Sequence, residues 1–416
     1  MTQKRERGCK GRTIWEIVQR ALCVGCGCCA GICPVNAIAM KENAAGFLAA
    51  DLDQSICIEC GKCFSICPRT SQKGGKGVEE NGDILAGYVG YAADPEIRRN
   101  GQSGGVVTAL LAYLLEAGEI EGAWVNRFSP KTCRPEVVFA TSREEICGGA
   151  GSLYTQSSVG QYVLRKNESK RQAAVVLGCQ AEGISHAGRR PEYLIGLFCA
   201  GQNNIGLEME ILNKIKNMKG SQTKDFYYRS KKWRGWPGDI LIRTLQGDEY
   251  WFPKEVRKEL LPLYGVPGCL TCCDKLNATC DIACGDPWGI PEKMKPEGYS
   301  VVLARTPKGE TLLKRAMQDG VLILEPVSAE RIIRGQNMNS ITEQVEAAQR
   351  YFAGVPLQTP KDKPIYQQAA YAETLFKESR EGALEHIERW RKKCRWQKTR
   401  ERWHRRFLRV IKKQKI

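Results

Sequence analysis

Cys23, Cys26, Cys29 and Cys33 stand directly ahead of Pro34, and Cys57, Cys60, Cys63 and Cys67 directly ahead of Pro68. Both runs read CxxCxxCxxxCP, the spacing with which bacterial two-cluster proteins hold a pair of 4Fe-4S clusters. Three thiolates in one tight turn reach three irons of one cube, and the fourth serves the other cube. The spacing therefore assigns Cys23, Cys26, Cys29 and Cys67 to one cluster and Cys57, Cys60, Cys63 and Cys33 to the second. A zinc site or a disulfide framework fits less well, because zinc knuckles lack the doubled four-cysteine run and its trailing prolines.

A second constellation carries different chemistry. Gly101, Gln102, Ser103, Gly104 and Gly105 precede an apolar helical run that starts at Val106. Glycines let a backbone approach an anion closely, and free amides at a helix N-terminus favour phosphate, so a flavin or nucleotide pyrophosphate would fit there. The pattern is not GxGxxG, and a plain glycine-rich turn accounts for it equally well.

A third set is Cys179 after AAVVLG, Cys199 after YLIGLF, and the pair Cys269 and Cys272. Carboxyl ends of strands in a parallel sheet are where cofactors gather, and a CxxC adds two thiols at ligand spacing, so these four could hold a third 4Fe-4S cluster. Taken singly, Cys179 and Cys199 also read as small core residues. Cys273, Cys280 and Cys284 crowd the same region and leave one or two of the ligand positions open. Cys9, Cys28, Cys133, Cys147 and Cys394 have no partner spacing and read as structural. Of the three histidines, only His186 lies near these cysteines in sequence, and a packing role suits it better than a ligand role.

These side chains need elements to hold them. Residues near 20–70 repeat with a period of 34, the offset from Cys23 to Cys57. Their core is small, so the clusters must supply much of the folding energy. Ser71–Asp83, SQKGGKGVEENGD, has the composition of a linker. Beyond it, strand-like runs at Ala86–Tyr91, Gly122–Asn126, Ala173–Leu177 and Tyr193–Phe198 interleave with helical patterns at Gly105–Glu116 and Ile205–Lys216, the alternation of an α/β domain. A second group, Phe226–Arg229, Asp239–Thr244, Ile282–Gly285 and Ser300–Ala304, has shorter connections and predicts an α+β portion. From about Glu343 onward the pattern is helical, with a break near Pro356 to Pro364.

The net charge of the 416 residues is +17, and its placement matters. From Arg389 to Ile416 there are 14 Lys and Arg against Glu401 alone, a surplus of 13 that leaves only +4 for the rest. Leu384, Ile387, Trp390 and Cys394, then Trp403, Phe407 and Val410 or Ile411, recur at helical spacing among these cations. Residues 384–416 thus read as a basic amphipathic helix, suited to an anionic membrane surface or to packing on its own body. Nucleic acid is disfavoured, because no recognisable binding fold accompanies the charge. Twenty cysteines without a signal peptide, and no apolar run long enough to span a bilayer, predict a reducing cytoplasm and at most a peripheral place on the inner membrane face.

Five ordered segments, GQSGGVVTALLAYLLE, GSLYTQSSV, VLGCQAEGI, IGLFCAG and CLTCCDKLNATCDIACGDPWG, together resemble the coenzyme F420 hydrogenase/dehydrogenase beta-subunit family. The likeness runs from about residue 20 to about 305. It implies a flavin-binding iron-sulfur oxidoreductase that uses FAD, with ferredoxin or coenzyme F420 as redox partner and an organic substrate the sequence does not identify. The alternative is a non-catalytic electron-transfer subunit of a larger complex. By the same resemblance Gly101, Ser103, Gly104 and Gly105 would cradle FAD, with Ser152, Tyr154, Gln156 and Ser157 lining the flavin region. Cys179, Cys199, Cys269 and Cys272 fall on the family's cysteine positions, and Asp281, Gly285 and Asp286 on its acidic-glycine motif. Two positions depart from the pattern: Gly178 stands where proline is usual, and Cys280 where alanine is usual.

The expected architecture is an α+β and α/β multidomain chain. It comprises a bacterial-ferredoxin-like domain over 14–72, a central mixed α/β flavin-binding domain over 84–330, and a helical region over 338–416 ending in the basic tail.

Overall fold

The computed structural model describes residues 11–70, 82–165, 171–215 and 222–393. Each cysteine run turns into a short helix, Cys28–Ile32 in the first and Lys62–Ser65 in the second, entered through Gly27 and Gly61 at φ of 81° and 74°. Glycine takes this left-handed conformation without steric cost, and the two glycines lie one repeat apart, so the period shows in the backbone as well as in the thiols. Between them a hairpin pairs β1 (Ile38–Glu42) with β2 (Leu48–Leu52), from Ile38 opposite Leu52 to Glu42 opposite Leu48. Ile14, Ile17, Leu22, Ile38, Phe47, Phe64 and Ile66 are buried beneath it.

The second body is built on β3 (Ala86–Ala92), β4 (Gly122–Ser129), β5 (Arg134–Ala140), β6 (Gln172–Val176) and β7 (Tyr193–Leu197). A small antiparallel sheet of β8 (Thr223–Ser230), β9 (Asp239–Thr244) and β10 (Glu249–Phe252) follows. Three further strands, β11 (Ile282–Gly285), β12 (Ser300–Ala304) and β13 (Leu322–Pro326), return to the first sheet, whose order is β13-β3-β12-β11-β7-β6-β4-β5. Pairs β11/β7, β7/β6 and β6/β4 are parallel, and β12 runs antiparallel to both β11 and β3. The carboxyl ends of β3, β4, β6, β7 and β11 therefore share one edge.

The expected α+β portion is corrected by this topology. Phe226–Arg229 and Asp239–Thr244 belong to the small sheet, whereas Ile282–Gly285 and Ser300–Ala304 sit at the centre of the large one. Burial explains the division: every residue of β12 is buried, the mark of a strand covered on both faces, while β8 alternates between buried and exposed positions. The helix Val106–Glu116 packs Leu110, Leu111 and Leu114 in one cluster with Ile195, Ile282 and Val302 of the sheet. Of the helical pattern at Ile205–Lys216, the described residues form a helix over Gly206–Leu212, and Lys216 lies outside the described residues.

Helices Met338–Phe352, Lys363–Lys377 and Arg380–Lys393 follow, with the proline-bearing turn between the first two. They wrap back onto the N-terminal module: Phe376 meets Phe47 at 5.1 Å between ring centroids, and its carbonyl accepts a 2.8 Å hydrogen bond from Asn43 Nδ2. In the last helix Ala383 and Ile387 are buried, and Trp390 stacks on Tyr371 at 4.6 Å. An apolar stripe at helical spacing serves a packing helix as well as an interfacial one, and up to residue 393 most of this stripe packs on the protein itself, with Leu384 exposed. The remainder of the basic tail, Cys394 to Ile416, lies outside the described residues, as do Cys9 and most of the linker. No helix among the described residues is long and apolar enough to cross a membrane.

Candidate redox site

The eight thiols of the N-terminal module separate into two groups. The thiols acting most strongly on Cys29 are those of Cys26, Cys23, Cys67 and Cys63, and those acting on Cys67 are Cys26 and Cys23. Around Cys63 they are Cys60, Cys33 and Cys57. The first group is buried, whereas Cys33, Cys57 and Cys60 are half-buried beside the exposed Ile56 and Ile58. Burial pushes the Cys23 thiol up to about 11 and Cys29 and Cys67 further, so a bare thiolate is disfavoured at these three, whereas the hydrogen bond from Cys28 holds Cys26 below its usual value. All eighteen described cysteines are free of disulfides, and among the described residues no three His, Cys, Asp or Glu side chains close around a single ion. Iron would supply the positive charge that the buried sulfurs lack.

Cys179, Cys199, Cys269 and Cys272 also come together. Cys179 sits in the first turn of the helix Gly178–His186 after β6, Cys199 just beyond β7, and Cys269 within the 3-10 turn Pro267–Thr271. The charges that bear on Cys179 after its own burial are Cys26, Cys272, Cys269 and Cys199. Burial pushes Cys199 to about 11 and Cys269 to about 12. Gly178 is explained here: a Cβ at this position would lie 2.5 Å from Asp274 Oδ2 and 2.8 Å from the Asp274 carbonyl.

The three other cysteines of this stretch stand apart. Cys280 donates its thiol proton to the Asn277 carbonyl at 3.0 Å, Cys284 faces the apolar cluster beneath the sheet, and Cys273 is exposed. His186 places Nδ1 3.4 Å from the Ile66 carbonyl, a contact between the two bodies.

Cys26 heads the thiols acting on Cys179, so the buried group of the N-terminal module adjoins the group on the sheet edge. Cys28 makes this approach possible. It is fully buried, and a Cβ on Gly160 would lie 2.3 Å from its sulfur and one on Gly183 2.6 Å away. Two glycines on two helices thus accept one thiol as a wedge between the bodies.

At the carboxyl end of β3 the chain turns through the helix Pro95–Asn100 into Gly101–Gly105. Gly105 takes φ of 80° and is the N-cap of the apolar helix, which has no side-chain cap. Gly104 is pressed against β3 and β12, since a Cβ would lie 2.5 Å from the Gly90 carbonyl. Ser103 hydrogen-bonds Asp286, which follows β11. Asp286 also pairs with Arg229 Nη1 at 2.7 Å and accepts from Trp236 Nε1 at 3.1 Å. Burial opposes ionisation of Asp286, but Arg229 and these hydrogen bonds outweigh it and hold the carboxyl below its usual range.

Gln102, with its amide turned to suit its neighbours, links Arg229 to Ser152. Lys231 donates to the carbonyls of Arg98, Ser103 and Glu297, and burial, with Arg98 and Arg229 nearby, pulls its ammonium down to about 8. An uncapped helix N-terminus beside Arg229 and Lys231 has the chemistry for a pyrophosphate.

The eight residues expected around a flavin do not share one wall. Gly101, Ser103, Gly104, Gly105 and Ser152 lie on the Asp286 side, and Tyr154 is there too, with Arg257 5.4 Å from its ring centroid. Gln156 spends both ends of its amide on the backbone of Leu48, at 3.0 Å each, clamping β2 to the central body. Gln156 and Ser157 line a cavity of about 260 Å³ between the two bodies, together with Glu42, Arg134, Thr155 and Tyr162. That volume falls below the roughly 300–1,000 Å³ typical of ligand pockets.

Sequence reasoning missed Arg229, Lys231 and Trp236, which reach the loop from the small sheet and carry no motif. It also passed over Arg69, whose position right after Cys67-Pro68 was a usable signal.

Residues 22–71 match the 4Fe-4S dicluster domain. Residues 87–164 match the N-terminal part, and residues 169–330 the C-terminal part, of the coenzyme F420 hydrogenase/dehydrogenase beta subunit. The coenzyme F420 hydrogenase subunit beta of Methanothermobacter thermautotrophicus is 28% identical over 261 residues, 57% of this chain and 82% of that protein. A subunit of the F(420)H(2) dehydrogenase of Methanosarcina mazei is 26% identical over 323 residues, 75% of this chain and 87% of that protein. A chain of the xenon-derivatised F420-reducing [NiFe] hydrogenase complex from Methanosarcina barkeri shares the fold, with a TM-score of 0.51 at 23% identity over 68% of this chain and 98% of that one.

Proposed function

The chain belongs to the coenzyme F420 hydrogenase/dehydrogenase beta-subunit family, and on that premise we propose that it is an FAD-dependent iron-sulfur oxidoreductase with coenzyme F420 or ferredoxin as its redox partner. Its N-terminal 4Fe-4S domain makes it an electron-transfer protein. The finer reading is supported by one observation: the buried cysteine turn packs on the helix that carries Cys179, with Cys28 Sγ 3.7 Å from the Gln180 carbonyl, so that charge on Cys26 is felt at Cys179. Three cubes in this order form a path from the half-buried Cys33, Cys57 and Cys60 with the buried Cys63, through Cys23, Cys26, Cys29 and Cys67, to Cys179, Cys199, Cys269 and Cys272.

In this reading FAD, when bound, converts between two-electron hydride chemistry and the single electrons that cubes carry. The chain's own residues position it. The N-terminus of the helix Val106–Glu116, with Arg229 and Lys231, supplies positive field for the pyrophosphate. Asp286 orients Arg229, and Lys231 fixes the loop by holding the Ser103 carbonyl. Gln156 ties the electron-carrying module to the central body, so that the separation between thiol groups stays fixed.

The full chain, purified anaerobically, is expected to carry about twelve irons and one FAD; this count follows from three cubes and one flavin. About eight irons would remove the third cluster, and absence of flavin would remove the mechanism. Reduction by reduced coenzyme F420 or by reduced ferredoxin then identifies the donor.

A second reading, a non-catalytic electron-transfer subunit, is favoured by the relatives, which are named as subunits. It predicts turnover of an organic acceptor only when a partner protein is added.

A further inference from the structure

Arg69 follows Cys67-Pro68 and is almost wholly buried, with 6% of its surface exposed. Its guanidinium has two long hydrogen bonds, from Nη1 to the Gly268 carbonyl and to Thr271 Oγ1 at 3.4 Å each, and its Nε is buried without a partner. It forms no ion pair with a carboxylate among the described residues. The groups that feel its charge come from both sides of the junction. Cys67 and Cys26 belong to the N-terminal module, while Cys179, Cys269 and Cys272 lie at the sheet edge, with Glu182 nearby.

A buried cation is costly unless anions surround it, and the Glu182 carboxylate, second only to Cys272 among the groups that bear on Arg69, supplies one such charge. The thiols add theirs only once they are thiolates, that is, once they hold iron. A cube held by four thiolates is anionic and gains one more negative charge on reduction, and its potential follows the net charge and hydrogen bonds around it.

We propose that Arg69 is the electrostatic bridge between the two adjoining clusters, stabilising the reduced form of both and offsetting the repulsion between them when both hold an electron. Hydride chemistry needs two electrons and each cube carries one, so a cation shared by two neighbouring cubes lets the pair be charged together. This inference rests on the three-cluster reading above.

The test uses the full chain, purified anaerobically as wild type, Arg69→Gln, Arg69→Met and Arg69→Lys, with iron and sulfide counted and each cluster titrated by EPR. The neutral variants are expected to shift the reduction equilibrium of both adjoining cubes at least tenfold toward the oxidised form, about 59 mV downward for a one-electron couple. The outer cube of Cys33, Cys57, Cys60 and Cys63 is expected to stay in place, and Arg69→Lys to stay near wild type.

Unmoved potentials at full iron content would overturn the proposal. So would an equal shift of the outer cube, or an Arg69→Lys shift as large as that of Arg69→Gln. Loss of iron from both neutral variants with full iron in Arg69→Lys supports the bridge; loss from all three makes Arg69 a packing residue and overturns it. A wild type with about eight irons would instead remove the inner cluster itself, which separates failure of the three-cluster reading from failure of this one.

Discussion

Replacing Gly160 by alanine should separate the N-terminal module from the central body. The new Cβ would lie 2.3 Å from Cys28 Sγ, 2.8 Å from the Cys26 carbonyl and 3.1 Å from the Cys28 amide. Two of these three atoms are backbone inside the cysteine turn, so no flexible side chain can give way. Overpacking of this kind costs about 1–3 kcal/mol. The cost falls on the docked state alone, because the Cys28–Ile32 helix and the central body can each keep their own hydrogen bonds once parted.

Amide exchange reads the effect directly, as local opening spans energies well below global unfolding. Amides in the helix Val159–Arg165 should exchange about 5–150-fold faster in Gly160→Ala, the ratio that corresponds to that energy. Spin coupling between the two adjoining clusters should weaken in parallel. Adding Cys28→Ala removes the nearest clash but leaves the two backbone contacts, so the double variant should recover only part of the loss, a coupling of roughly 1 kcal/mol. Unchanged exchange and unchanged spin coupling in Gly160→Ala would show that the bodies are not held by this close approach.

Two further outcomes follow from buried charges. Asp286→Asn leaves Arg229, whose side chain is 6% exposed, without its anion, and breaking such a pair costs about 3–5 kcal/mol; chemical denaturation and bound-flavin content should both fall. Glu208, 0% exposed, has its carboxyl raised by burial to about 8 despite the 3.1 Å hydrogen bond from Thr155 and the nearby Tyr228 and Arg134. The folded state therefore holds this proton where the unfolded chain has lost it. The resulting stabilisation is complete below the ordinary glutamate value of 4.5 and disappears as pH rises through about 8. Glu208→Gln should lack this loss and end a few kcal/mol more stable than wild type at pH 8 relative to pH 5, measured by urea unfolding at both pH values. Parallel stability curves for the two proteins would refute the assignment.

The parts of this site differed in how far sequence could show them, and the difference is physical. Cysteine spacing is local geometry: a turn of three thiols and its glycine, at Gly27 and again at Gly61, is specified within a few residues, so the repeat and its two helix entries are legible in the sequence. Strand runs were equally local, and each expected strand overlaps an observed one, with Leu177 and Phe198 falling just past the ends of β6 and β7. Sheet membership is not local. Nothing within Ile282–Gly285 says that it pairs with β7, 80 residues and more away, rather than with the preceding strand β10, and only the burial of Ile282, Ala283 and Cys284 records the outcome.

The flavin expectation shows the same limit from the other side. Ser152 to Ser157 form one motif, yet they cross from the Asp286 side to the cavity beside Glu42 and Arg134, so one motif serves two places. What no motif could announce is the set of cations around these groups. Arg229 comes from the end of β8 and Lys231 from the turn just after it, and Arg69 acquires its meaning only when Cys179 and Cys272, more than a hundred residues later, are folded against Cys26 and Cys67. Charges are therefore where variation within such a chain would retune potentials without disturbing any cysteine, since a cube keeps its ligands while the field around it changes.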